Sequence, residues 1–215
     1  MITHAETEFQ HRSAQLATHG DYAATEALRV LATTNVHLAA ITGGQTDRMT
    51  RDDGWRLLSI GRNLERLCFL APAMVSSFES GAVHDRGGFE ALIALYDSTI
   101  TFHAQYQQSH EIAALLDLLV LDPDNPRSLR WVIQNLRGRL AKLSGLPQEQ
   151  SPLAQLLPDP ADWTLLSVCA QDAEGQYSGL LELLSRINQA ALKISDEVSL
   201  RYFTHASDAG LSVEA

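Results

Sequence analysis

Cysteine is scarce: the 215 residues hold two, Cys68 and Cys169. They lie far apart, in neither a Cys-x-x-Cys nor a Cys/His spacing, so the sequence offers no zinc site and no disulfide framework. Long apolar runs are missing too, and nothing approaches the roughly 20 residues that a membrane span requires. Residues 1–13 are polar, without the apolar stretch of a signal peptide or the acid-poor Arg/Ser pattern of a transit peptide. Basic side chains are in the minority, 16 Lys and Arg against 26 Asp and Glu, for a formal net charge of −10. That balance argues against a broad nucleic-acid surface, which needs clustered Lys and Arg. There is no Gly-rich phosphate loop and no Lys-containing nucleotide signature. No stretch alternates with period two for long enough to claim a strand. These absences predict a reduced, cytoplasmic protein with no metal or cofactor of its own and neither nucleic acid nor membrane as partner.

What is present is helix after helix. Hydrophobic residues make up 45% and charged residues 20%, a globular composition. Residues 5–18 are weakly helical. Asp21 caps a second helix carrying Ala24, Leu28, Leu31, Val36, Leu38 and Ile41, with a stop at Gly43–Gly44. Thr46 to Gly54 reads as a polar linker. A third helix, Trp55 to Phe78, has the stripe Leu57, Ile60, Leu64, Leu67, Cys68, Ala71, Met74, Val75 and Phe78 at three- and four-residue steps. Pro72 inside it predicts a kink, because its ring displaces the hydrogen bond to the carbonyl of Cys68. After a Gly81–Gly88 loop come helices over Phe89–Gln107 and Glu111–Leu121. Asn125 reads as an N-cap with Pro126 at the first helical position, leading into Leu129, Val132, Ile133, Leu136 and Leu140. A Pro-containing connection from Ser144 to Pro160 and a short helix from Ala161 follow. The last helix, Gln176 to His205, carries Leu180, Leu184, Ile187, Ala191, Ile194 and Val198 on its core side. The expectation is an all-α, antiparallel helical bundle of about six to eight helices, one domain over residues 1–215 with a flexible tail at 206–215.

The third helix is the most informative segment. With Leu64 facing the core, Glu65 falls at the boundary, and Arg62 and Arg66 on the far side. Leu58 and Phe69 share a flank with Arg62 and Glu65, so charges are interleaved with large apolar groups, which predicts a second contact surface. Three roles fit these residues: a salt-bridged strut between helices, an anion-contacting arginine, or a solvated face. Other constellations are weaker. Glu8 and His11 have the Glu-x-x-His spacing of di-iron bundles, but only one copy occurs. Asp122, Asp124 and Asn125 resemble a calcium loop broken by Pro126 and Arg127. Arg127 and Ser128 either contact an anion at a helix N-terminus or tie the loop down. Asp97, Ser98 and His103 do not make a nucleophile set, since adjacent helical residues point about 100° apart. Trp131, Trp163, Tyr96 and Tyr202 read as core aromatics with a polar edge.

The stretch from Arg51 through Asp52, Asp53, Gly54 and Trp55 to Glu65-Arg66 resembles the alpha-E family, bacterial all-helical proteins named for a Glu-Arg motif. So do Leu95-Tyr96-Asp97-Ser98-Thr99-Ile100-Thr101, the run from Leu118 to Leu129 with its Asp122-Pro123-Asp124-Asn125-Pro126-Arg127-Ser128 core, and the closing Arg201-Tyr202-Phe203-Thr204-His205. These segments span residues 46 to 205. The resemblance marks Arg62, Glu65, Arg66, Asp97, Asn125, Arg127 and Arg201 as motif or binding candidates. Because nothing in residues 1–45 repeats the earlier Glu-Arg helix of the family, it also implies the C-terminal part of a longer member. Family members are typically encoded beside, or fused to, a circularly permuted ATP-grasp protein, with peptidases nearby. The resemblance therefore implies a non-catalytic accessory or scaffold domain that docks such a ligase or presents its peptide, in a system making or modifying peptide amide bonds. Two alternatives stand beside it: an enzyme acting on amide or ester bonds in its own right, and a structural module for homo-oligomers.

Overall fold

The computed structural model describes residues 24–203. The expected opening helix, the Asp21 cap, the Glu8/His11 pair and the tail at 206–215 lie outside the described residues. Nine α-helices occur among them: α1 (Ala24–Arg48), α2 (Asp53–Glu79), α3 (Arg86–Leu95), α4 (Thr99–Tyr106), α5 (Ile112–Leu116), α6 (Leu129–Ser144), α7 (Pro152–Gln155), α8 (Leu165–Val168) and α9 (Ser178–Tyr202). Short 3-10 turns fall at Ala82–His84, Gln148–Gln150 and Pro160–Asp162, and there is no strand among the described residues. The all-α bundle expected from periodicity is the fold observed. No helix among the described residues is long and apolar enough to cross a membrane.

The chain divides into two compact units, Met1–Trp55 and Arg56–Ala215. In the first, α1 runs through Gly43–Gly44 to Arg48, past the expected stop. Glycine costs a helix interior about 1 kcal/mol but ends a helix only where the chain turns left-handed, and neither of these has positive φ. The linker expected over Thr46–Gly54 shrinks accordingly to the few residues before Asp53. There Asp52 accepts a hydrogen bond from the amide of Trp55 at 3.0 Å, capping α2, and the Arg51 guanidinium lies 4.2 Å from the Trp55 ring. Leu28, Leu31, Val36 and Leu38 on α1 are exposed.

The second unit holds the main core. Ile60, Leu64, Leu67, Ala71, Met74 and Phe78 of α2 are buried, as are Leu129, Val132, Ile133, Leu136 and Leu140 of α6 and Leu180, Leu184, Ile187, Ala191, Ile194 and Val198 of α9. These three stripes match the sequence spacing. Pro72 is exposed, so its ring sits on the solvent side, and α2 continues to Glu79. The arginines of α6 fasten the long connection that follows it. Arg130 donates to the carbonyls of Leu121 and Trp163, each at 3.1 Å, and to that of Pro160. Arg137, nearly buried, pairs with Asp159 at 2.9 Å. Of the aromatics read as core, Tyr96 and Trp163 are buried, but Tyr202 is exposed at the end of α9. A residue in the last turn of a helix has fewer neighbours to cover it.

Candidate functional site

Three backbone irregularities build the candidate site. The first breaks the helix expected over Phe89–Gln107. It ends at Leu95 and restarts at Thr99, because Asp97 adopts φ 48, in the left-handed region. The amide of Asp97 donates to the carbonyl of Ala94 at 2.9 Å and that of Ser98 to the carbonyl of Ile93 at 3.1 Å. This paired bonding is the Schellman arrangement, in which aspartate tolerates the conformation usually given to glycine. It turns the Asp97 carboxylate outward and buries Ser98, whose hydroxyl donates to the carbonyl of Tyr96 at 3.0 Å.

The second irregularity is a π-helical turn, Asp117–Leu121, continuing α5. Its register moves the amide of Asp122 onto the carbonyl of Asp117, at 2.8 Å, and away from the carbonyl of Leu118, its partner in an α-helix. Pro123, next in the π register, has no N–H to offer Leu118. The side-chain amide of Asn125 donates to that carbonyl instead, at 3.1 Å, and to the Ser98 hydroxyl at 3.4 Å. Asn125 is buried and joins the α3–α4 turn to the π turn.

The third is the turn into α6. Asn125 is not the N-cap that the sequence suggests: α6 starts at Leu129, and Ser128 caps it by accepting from the amide of Trp131 at 3.1 Å. The Asn125 side chain is committed elsewhere, its oxygen taking the amide of Arg127 at 3.1 Å. Asn125 to Ser128 form a turn closed by the Ser128 amide on the Asn125 carbonyl at 3.0 Å, with Pro126 at its second position. Asp122 accepts from the amides of Asp124 and Asn125, at 2.8 and 3.3 Å. Its role is loop closure, and no group of three His, Cys, Asp or Glu among the described residues is placed to hold a metal ion.

These turns present their charges to α2. Arg127 pairs with Asp97, and Arg66 donates to the carbonyl of Pro126 at 3.2 Å. Partial burial holds the Arg66 guanidinium below its ordinary pKa, with Arg127 and then Arg62 adding repulsion and Asp97 opposing it. Arg62, Arg66, Asp97, Asn125 and Arg127 therefore meet in one junction. Arg62 is half-buried. Glu65 is exposed, beside Cys68, whose thiol is pushed up by burial first and by Glu65 second. Arg201 has its partner in its own helix, Glu197, at 3.4 Å. The buried Tyr96 hydroxyl donates to the carbonyl of Leu70 on α2 at 3.1 Å, and burial raises its pKa.

Sequence reasoning missed two groups. Tyr106 donates to Asp117 at 2.5 Å, and burial together with that bond raises the tyrosine pKa. Glu90 lies between His103 and His110, at 3.4 and 3.7 Å. Only the break at Asp97, which the expected continuous helix over Phe89–Gln107 lacks, brings the His103–His110 segment back to Glu90. His103 also bonds the Gln107 carbonyl, so it plays no part beside Ser98.

The described residues thus make an all-α bundle domain whose candidate site is a junction of arginines, an aspartate and capped carbonyls. The chain belongs to the Alpha-E family, described as a predicted alpha-helical domain with a conserved ER motif, whose model matches residues 4–203. That match begins well before the motifs from residue 46 onward. Its Glu-Arg dipeptide is Glu65–Arg66. Similar relatives are uncharacterised proteins of Mycobacterium bovis and of two strains of Mycobacterium tuberculosis, each 25% identical over 167 residues, 74% of this chain. The chain spans 19% of the length of these curated relatives. No solved structure matches it.

Proposed function

We propose that this domain is a non-catalytic accessory module that docks a circularly permuted ATP-grasp ligase acting on peptide amide bonds, the partner implied by the family resemblance. The observation that carries the docking reading is the outer flank of α2. At 100° per residue, Glu65, Leu58, Phe69 and Arg62 fall about 100° to 160° round from Leu64. Phe69 is 57% exposed there, with Glu65 exposed beside it. A large aromatic bounded by charges on an exposed helix face has the composition of an interface anchor. Further along the junction, Leu95 and Ile100 flank the Asp97 turn and are exposed as well. In this reading Arg66 and Arg127 hold the turns in place, and the neighbouring apolar side chains make the contact.

The test is co-expression with a circularly permuted ATP-grasp protein from the same genome, followed by gel filtration. Wild type is expected to co-elute with the ligase, and Phe69→Asp to elute alone while remaining folded by circular dichroism. Separate elution of the wild-type proteins overturns the reading.

One observation favours self-association as a second reading. Leu28, Leu31 and Leu38 are exposed on one side of α1, a spacing that suits helix pairing. Light scattering decides it: a dimer that Leu31→Glu converts to monomer supports this reading, and a wild-type monomer removes it.

A further inference from the structure

A surface cleft of about 510 Å³ is lined by Arg86, Glu90, His103, Gln107, Gln108 and His110. None of these residues belongs to the arginine junction. Each imidazole is held at both ends. Nδ1 of His103 lies 2.9 Å from the carbonyl oxygen of Gln107, and Nδ1 of His110 lies 2.9 Å from that of Gln108. A carbonyl oxygen only accepts, so both Nδ1 atoms carry a proton. The Nε2 atoms face the two oxygens of Glu90 at 3.4 and 3.7 Å. A carboxylate also only accepts, so lone pair would face lone pair unless a cation intervenes. Imidazolium rings, with a donor at each nitrogen, match all four of these acceptors.

The donor and acceptor balance then decides what the cleft can take. Both Glu90 oxygens are engaged by the histidines. Arg86 has no hydrogen-bond or ion-pair partner among the described residues, none of which takes up its five N–H donors. The side-chain amides of Gln107 and Gln108 add donors at the rim. The Gln107 backbone is held at φ 56, a conformation that costs a non-glycine residue free energy and recurs at ligand clamps. We propose that this cleft binds a small oxyanion, a carboxylate or a phosphoryl group, with the Arg86 guanidinium as the hydrogen-bond donor and the His103 and His110 imidazoliums supplying positive charge alone, and that binding takes up protons. With neutral rings the charges of Arg86 and Glu90 cancel; with both rings protonated the lining is doubly positive. The other charged groups nearby are His84 and Asp85, which line an adjoining cleft that shares Arg86 and His110, and Glu111, next along the chain.

The experiment is an NMR titration of the full chain with sulfate, whose charge is constant over the range used. The expected result is saturable shifts confined to the Arg86, Glu90 and 103–110 resonances at pH 5.5, with affinity at least tenfold weaker at pH 8.0. Arg86→Gln is expected to weaken binding at least tenfold at pH 5.5 while leaving the rest of the spectrum unchanged. Comparison arms with inorganic phosphate and with acetate at pH 5.5 assign the ligand: the tighter of the two identifies a phosphoryl or a carboxylate group. Absence of saturable binding at pH 5.5, equal affinity at both pH values, or binding indifferent to Arg86→Gln overturns the proposal.

Discussion

The two flanks of α2 beside its core stripe meet different fates. On one, Asn63 and Leu70 are buried, the Leu70 carbonyl receives the Tyr96 hydroxyl, and Arg66 reaches the Pro126 carbonyl. On the other, Leu58 is half-buried, and Glu65 and Phe69 are exposed. Glu65 and Arg66 are neighbours in sequence but diverge by about 100°, so the Glu-Arg dipeptide sends one member to each flank. The difference separates two jobs that the sequence presents as one motif. The arginine side is internal architecture, whereas the glutamate side remains open for contact.

That division can be broken most severely at Asn125. Asn125→Ala strips the Leu118 carbonyl and the Arg127 amide of their partners inside the fold. The expected loss is about 2–3 kcal/mol, or roughly 5–10 °C in Tm, measured by thermal denaturation. Tyr96→Phe removes a single buried hydrogen bond and is expected to cost about 1 kcal/mol in denaturant unfolding. Arg66→Ala is expected to cost less than about 1 kcal/mol, because a partly exposed charged group contributes little and its loss relieves repulsion from Arg62 and Arg127. Phe69→Asp, on the open flank, is expected to shift stability by no more than about 0.5 kcal/mol while abolishing co-elution with the ligase. A Phe69→Asp variant as damaged as Asn125→Ala would erase the distinction between the flanks.

The long helices were legible because their apolar residues recur at helical spacing along α2, α6 and α9, and burial follows that spacing closely. The interruption at Asp97 was not. The apolar pattern runs on across it, and nothing about an aspartate announces a left-handed residue as plainly as a glycine would. The start of α6 was off by three residues because Asn125 and Ser128 are both good caps. What decided between them is the bare carbonyl of Leu118, which exists only because of a π turn that no periodicity reveals. In the candidate site, placing Arg66 away from the core was correct on geometry. Its partner sixty residues along the chain depends on how two loops fold, which local spacing does not encode.

The π turn at Asp117–Leu121 also fixes how the chain can change length. One residue more than an α-helix would use is accommodated there, and everything downstream is phased to that surplus. Removing a single residue from Leu118–Leu121 would let the segment relax into ordinary α register. The Asp122 amide would recover its usual acceptor, the vacancy that Asn125 fills would close, and the Pro126 carbonyl would swing away from α2. A one-residue deletion in the middle of a buried helix would thus be felt first at the surface, as an arginine junction that no longer assembles.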